Sequence, residues 1–312
     1  MDQATALRLY EAMLLTRLTE ERLVKLFRQG QTLGSVYRSL GQEATACATA
    51  LALGPDDVIA PLIRNLGSMF VRGVTPKEVF LQYLGRATGP TGGREHNNHF
   101  GSVARGIIAP TSMLGALIPV MAGVALAFRQ KGERRVAMTW IGDGGSSTGA
   151  FYEGLNFAVV QKLPLIVVGE ANGYAFSTPP ERQMAGGLSL RSQGAFTLTV
   201  DGNDAIAVFD AAVEARQRCL DGRGPAFLVC ETFRMKGHAE HDDQRYVEPA
   251  LLEQWANRDP LPRFEAWLEL RGWKPDPSLA GRLETRLLAA AEAALAAPWP
   301  AAESLTQGIF ST

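Results

Sequence analysis

The chain has 312 residues, 46% hydrophobic and 20% charged, a globular composition with length for one large α/β domain or two modest ones. Its 31 basic and 32 acidic side chains leave a formal net charge of -1, so no global field draws it to nucleic acid or an anionic membrane. Cys47, Cys219 and Cys230 are odd in number and form no C-x-x-C, which argues against a disulfide framework or a thiolate metal site and fits a reduced setting.

Met1-Asp2-Gln3-Ala4 lacks the basic region and short apolar core of a signal peptide, so a cytoplasmic location is expected. Residues 4–29 place Leu7, Tyr10, Leu14 and Leu18 on one helical face and charges on the other, which predicts a long amphipathic helix. Between positions 43 and 53, alanines alternate with Thr, Cys and Leu, a composition for a closely packed helix that Gly54-Pro55 stops. The longest apolar run, 113–128, contains Pro119 and is shorter than the roughly 18–20 residues of a membrane span, so it predicts a buried helix.

From Arg134 onward, short apolar runs alternate with helical stretches: 136–141, 149–162, 165–169, 203–219 and 226–231. That alternation implies an α/β fold, a parallel sheet with helices on both faces. Helices are expected near 259–271 and 280–296, followed by a tail with Pro298, Pro300 and Gly308. No repeat or low-complexity linker divides the chain, so the expectation is a single domain over 1–312, with a helical N-terminal segment (1–35) and a C-terminal helical tail (259–312).

Ligands of such sheets sit at the carboxyl ends of strands, which directs attention to the loops after Ile141, Gly169 and Glu231. The first reads Gly142-Asp143-Gly144-Gly145-Ser146-Ser147, a carboxylate among glycines. A dinucleotide fingerprint would need Gly at position 147 and an acidic residue about 20 positions on, and no P-loop pattern occurs anywhere. Asp143 as a plain helix cap would explain this loop alone. The second loop tips the balance: Asn172 stands 29 positions later, directly after the next strand, and adjacent strands would bring the two loops together. A carboxylate, an amide oxygen and backbone carbonyls are hard ligands suited to Mg²⁺, which is commonly completed by phosphate oxygens. The glycines, with a helix starting near Gly149, offer backbone N–H groups to those phosphates.

The G-D-G followed after nearly thirty residues by Asn resembles the signature of thiamine-diphosphate enzymes. The longer stretch from Gly142 to Thr178 is similar to the alpha subunits of pyruvate, branched-chain 2-oxo acid and acetoin dehydrogenases. G-Q-E-A at 41–44, I-R-N-L-G at 63–67 and E-T-F-R-M-K-G-H at 231–238 follow in that family's order, and the likeness runs from about residue 5 to about 270. The resemblance implies the thiamine-diphosphate-binding fold, with Asp143, Asn172 and the Tyr174 carbonyl on Mg²⁺. It further implies Arg64 and Arg234 on the diphosphate, Ser112 and Leu114 against the aminopyrimidine and thiazolium, and Gly142, Gly144 and Gly145 along the cofactor. His238 corresponds to a loop histidine that works beside the reacting carbon, and His99 is a second candidate for proton transfer.

The chain departs from the family pattern in several places. Ala171 stands where a doubled Asn is usual, Ile63 where an aromatic or His precedes Arg64, and Ala239 where kinase-regulated members carry Ser. All four histidines fall in H-x-x-H pairs, His96/His99 and His238/His241, a spacing that also raises the idea of zinc. The run Glu240-His241-Asp242-Asp243-Gln244-Arg245 is expected to be a solvated loop that orders when cofactor binds.

The implied activity is decarboxylation of a 2-oxo acid, or cleavage of acetoin, with transfer of the acyl unit to the lipoyl domain of an acyltransferase component. In this family a beta subunit supplies the glutamate that activates the cofactor, and no segment here resembles it, so a heterotetramer with beta is expected. A single-chain thiamine-diphosphate lyase is disfavoured by length; a degenerate subunit kept for assembly, suggested by Ala171 and Ile63, is the non-enzymatic alternative.

Overall fold

The computed structural model describes residues 1–309. Helix α1 (Gln3–Arg28) starts at Asp2, whose carboxylate accepts from the Thr5 N–H at 2.8 Å and satisfies a donor that the helix itself leaves free. Helix α2 (Glu43–Leu51), β1 (Val58–Ala60), α3 (Leu66–Val71) and α4 (Pro76–Tyr83) follow. The rest is α5 (Leu117–Lys131), β2 (Ala137–Gly142), α6 (Gly149–Val160), β3 (Leu165–Ala171), β4 (Phe196–Asp201), α7 (Ala205–Leu220), β5 (Ala226–Glu231), α8 (Pro249–Ala256), α9 (Pro260–Leu270) and α10 (Leu279–Leu295).

All strand pairs are parallel, in the order β1-β2-β3-β5-β4. Successive side chains of a strand point to opposite faces, and both faces here are covered. Met138, Trp140, Ile166, Val168, Leu228 and Cys230 enter a core shared with α1, α2 and α7, while Ala137, Ile141, Leu165, Val167, Phe227 and Val229 enter another shared with α5 and α6. This double burial is why the strands read as continuous apolar runs. Each fully buried Val, Leu or Ile contributes roughly 1.5–3 kcal/mol, so the sheet's two faces outweigh any single ion pair. The register opposes Gly142 to Glu170 and Ala171 to Glu231, bringing the ends of β2, β3 and β5 side by side.

Five elements lie outside the sequence expectation: the short helices α3, α4 and α8 and the strands β1 and β4. Strand β1 has only three residues, too few to show a period, and α8 is a single short helix. Strand β4 is an edge strand whose Phe196, Leu198 and Val200 alternate with Thr197 and Thr199 and stay half-buried. The apolar run 113–128 is helical only from Leu117: Gly115 adopts φ +83, which breaks the helix, and leaves Met113 and Leu114 exposed. No helix among the described residues is long and apolar enough to cross a membrane, and the three cysteines are free and buried.

Candidate active site

The N-cap of α6 is Thr148, whose hydroxyl accepts from the Phe151 N–H at 3.3 Å, so Asp143 is not the helix cap. Asp143 is instead buried at the end of β2, where its Oδ2 accepts from the backbone N–H of Asn172 at 3.1 Å. Burial pushes its carboxyl up to about 6, against the opposing pull of the Gly173 and Asn172 N–H groups and of Arg234 and Arg191. Glycine is required at 144: a Cβ there would stand 2.8 Å from the Cβ of Ala175, on the loop after β3.

The side chain of Asn172 joins these two loops. Its Nδ2 donates to Oε1 of buried Gln42 at 3.1 Å, which turns Oδ1 toward the Tyr174 carbonyl, 3.1 Å away, and Oδ2 of Asp143, 3.3 Å away. Three acceptors then face one another. The spacing is close to the edge of about 3 Å between neighbouring oxygens of an octahedral Mg²⁺ site with bonds near 2.1 Å. Turned over, the same amide donates to both oxygens, the arrangement that satisfies its hydrogen bonds among protein groups alone.

Beside this trio lies a cavity of about 600 Å³. Its wall includes every residue assigned above to the cofactor, the metal or proton transfer: Arg64, His99, Ser112, Leu114, Gly142, Asp143, Gly144, Gly145, Asn172, Tyr174, Arg234 and His238. Arg64 and Arg234 are both buried, yet neither forms an ion pair with a carboxylate among the described residues. Arg64 donates to the Arg38 carbonyl at 3.1 Å and to His238, while Arg234 donates to the carbonyls of Lys236 and Phe176 and to the Tyr246 hydroxyl. Burial, then the charge of Arg234, lowers Arg64 to about 10. Two buried cations that share the cavity wall with the Asp143 and Glu170 carboxylates, yet form an ion pair with neither, favour a further anion between them.

His238 stands between Tyr37 and Phe176, ring centroids 5.4 and 4.6 Å away. Burial, then the charges of Arg64 and Arg234, lower its pKa to about 4, so the ring is neutral near pH 7.

Compared with known proteins, residues 10–297 match the model of the family described as dehydrogenase E1 component. The chain belongs to the dehydrogenase E1 family. It is 36% identical over 269 residues to the pyruvate dehydrogenase E1 component subunit alpha of Bacillus subtilis, covering 85% of this chain and 70% of the relative. With the Staphylococcus aureus protein of the same name the identity is 38% over 274 residues, covering 86% and 71%; with that of Staphylococcus epidermidis it is 37% over the same length. Membership of the E1 alpha subunits implies thiamine diphosphate, and the residues present fit that cofactor: two guanidinium groups lacking carboxylate partners for its diphosphate, and three converging oxygens for a hard cation.

Several residues of this E1 site were given no role by the sequence. Gln42, within the G-Q-E-A motif, orients Asn172 across 130 positions, and Tyr37, Thr111, Glu170, Phe176 and Gln183 are among the further residues of the cavity wall. His99 reaches the wall with Glu95 3.5 Å from its Nδ1, while His96, 3.2 Å from the same carboxylate, is turned toward Gly34. No group of three or more His, Cys, Asp or Glu side chains able to hold a metal occurs among the described residues, which removes the support for zinc at the histidine pairs.

The charged run after His238 is partly tied down, while Asp243 and Arg245 stay exposed to solvent. Glu240 pairs with Arg28 at 2.8 Å and Arg38 at 3.2 Å, His241 Nδ1 lies 3.0 Å from the Ser35 hydroxyl, and Asp242 accepts from the His238 N–H and the Tyr246 hydroxyl. These partners fasten the loop to the end of α1 and the segment that follows it. Ala239 is buried under it, with no hydroxyl to modify.

Proposed function

We propose that the chain is the alpha subunit of a thiamine-diphosphate- and Mg²⁺-dependent dehydrogenase that decarboxylates a 2-oxo acid, or cleaves acetoin, and passes the acyl unit to a lipoyl domain. A beta subunit completes the active site, and the acyltransferase component carries the lipoyl group. The observation that carries this reading is the convergence, at the ends of β2 and β3, of the Asp143–Asn172–Tyr174 oxygens with two buried arginines that lack carboxylate partners.

Bound thiamine diphosphate supplies a carbon nucleophile and an electron sink. Asp143, Asn172 and the Tyr174 carbonyl hold Mg²⁺, and Arg64 and Arg234 hold the diphosphate with planar forks that match phosphate oxygens. Tyr37 and Phe176 flank His238 and limit water around it. Since Arg64 can only donate, its approach to Nδ1 at 3.1 Å leaves the proton of neutral His238 on Nε2, available to a reacting oxygen or carboxylate. His99, with Glu95 behind its Nδ1, is the second group able to move a proton at the cavity wall.

The test is coexpression with its beta subunit and an artificial-acceptor assay on pyruvate, branched-chain 2-oxo acids and acetoin, with and without Mg²⁺ and thiamine diphosphate. Turnover is expected to need both chains and the cofactor and to vanish in Asp143→Ala. A folded, cofactor-loaded complex that turned over none of these substrates would defeat the reading.

A further inference from the structure

A third buried guanidinium lies behind the glycine loop. Arg191 ends the short 3-10 turn Leu188–Arg191 that precedes β4, and it is only 8% exposed. Its Nη1 donates to the Ser146 carbonyl at 2.6 Å, to the Ser146 hydroxyl at 3.1 Å and to the Ser147 hydroxyl at 3.0 Å; its Nη2 reaches the Gln183 carbonyl at 3.5 Å. No carboxylate pairs with it among the described residues, and the aromatic face of Tyr152 lies 5.9 Å away.

Two consequences follow from this geometry. Ser146 and Ser147 belong to the turn Gly145–Ser147, while Gln183 belongs to the segment after β3, so one side chain ties together two adjoining segments that contribute Gly145 and Gln183 to the cavity wall. Arg191 itself is not part of the cavity wall, and it therefore acts through the loop rather than by touching what binds there. A buried cation hydrogen-bonded only to carbonyls and hydroxyls, with Asp143 the carboxylate its charge acts on, also places positive charge behind a loop that, on the reading above, faces a diphosphate. The nearest sequence signal, an Arg in a loop 45 positions from Ser146, is silent about all of this.

We propose that Arg191 is a positioning residue for cofactor binding: it staples the 144–147 loop to the 183–191 segment and holds positive charge behind the loop, so that the diphosphate meets a preformed wall. This rests on the thiamine-diphosphate reading, and the test separates the two. Dissociation constants for thiamine diphosphate with Mg²⁺ are measured by calorimetry on the alpha–beta complex, wild type and Arg191→Met, Arg191→Lys and Ser147→Ala, together with melting temperatures and kcat at saturating cofactor. Losing hydrogen bonds from a charged donor is expected to weaken binding about tenfold or more in Arg191→Met. Arg191→Lys, which keeps the charge, recovers part of the affinity; Ser147→Ala loses a smaller part; and kcat at saturation changes far less than affinity. Unchanged affinity with a lowered melting temperature in Arg191→Met would assign the residue to packing alone and overturn the proposal. If Arg191→Met does not fold, unchanged affinity in both other variants overturns it equally. A wild-type complex that bound no thiamine diphosphate would remove the functional reading and this inference together, whereas tight wild-type binding with tight variant binding removes only the inference.

Discussion

The Nη2 of Arg64 lies 3.1 Å from Nδ1 of His238 and also donates to the His238 backbone carbonyl, so a single guanidinium fixes both the ring's tautomer and the chain that carries it. Burial holds the imidazole neutral, and the charges of Arg64 and then Arg234 add to it, because an imidazolium would stand against further positive charge in a partly desolvated site. The tautomer is thus set by one neighbour, 174 positions away in sequence, and the protonation state by burial together with two.

The first prediction concerns pH. His238 has a folded pKa of about 4 against an ordinary value of 6.5, so the unfolded chain binds the extra proton between those values. Its contribution to stability is therefore fully present above about 6.5 and is lost as pH falls through about 4. Denaturant midpoints of the cofactor-free chain across that window should fall more steeply for wild type than for His238→Asn. Comparing the two cancels the carboxylates, including Asp143, whose raised pKa acts in the opposite sense. Parallel slopes would show that the buried ring is not protonation-coupled to folding.

A second prediction follows from the buried charge at Asp143. Its folded pKa lies above the unfolded value of 3.8, so the protonated form stabilises the fold at low pH and that contribution is lost as pH rises through about 6. At pH 8 the cofactor-free chain pays the cost of a buried carboxylate that two backbone N–H groups and the charges of Arg234 and Arg191 offset only in part. Asp143→Asn is then expected to raise the melting temperature of the cofactor-free chain while abolishing the further rise produced by Mg²⁺ and thiamine diphosphate. A variant that kept the ligand-induced rise would remove Asp143 from the metal site.

The glycine pair gives a third. At Gly144 an added Cβ meets the Ala175 Cβ at 2.8 Å, whereas at Gly142 nothing lies within 4 Å. Gly144→Ala must push the two loops apart, at about 1–3 kcal/mol of stability, and it displaces the wall along which the diphosphate is proposed to lie. Gly142→Ala should cost little stability. Urea unfolding of both variants decides the point, and equal costs would mean that the loops are not in tight contact.

How much of this was legible beforehand depends on the separation of the groups involved. Asp143 and Asn172 could be paired because each ends a buried apolar run, and adjacent parallel strands have to align their ends. The alternation of Phe196, Leu198 and Val200 with threonines offered a period-2 signal for β4 as well, but one weakened by the half-exposure of an edge strand. Nothing local marks Gln42 as the partner of Asn172, or Arg191 as the partner of Ser146, because those contacts exist only once the chain has folded. The run from Glu240 to Arg245 is only half legible for the same reason. Charge composition favours solvation, while the partners that fasten it, Arg28, Arg38 and Ser35, lie some two hundred positions upstream.

The last prediction tests the frame rather than the site. Glu43, at the start of α2 beside Gln42, is fully buried; it accepts from the Gly41 N–H at 2.9 Å and pairs with Arg17 Nε at 2.5 Å. Arg17 then forks onto Asp259, the N-cap of α9, at 2.9 and 3.0 Å. Removing the cation leaves a buried carboxylate without its partner, a change that costs about 3–5 kcal/mol, more than the pair itself contributes. Arg17→Met should therefore destabilise strongly, and adding Glu43→Gln should recover part of the loss by removing the stranded charge. Chemical denaturation of wild type, both single variants and the double variant measures the coupling. If the double variant is as unstable as the sum of the two singles, the network acts through packing, and Gln42 is held in place by α2 alone.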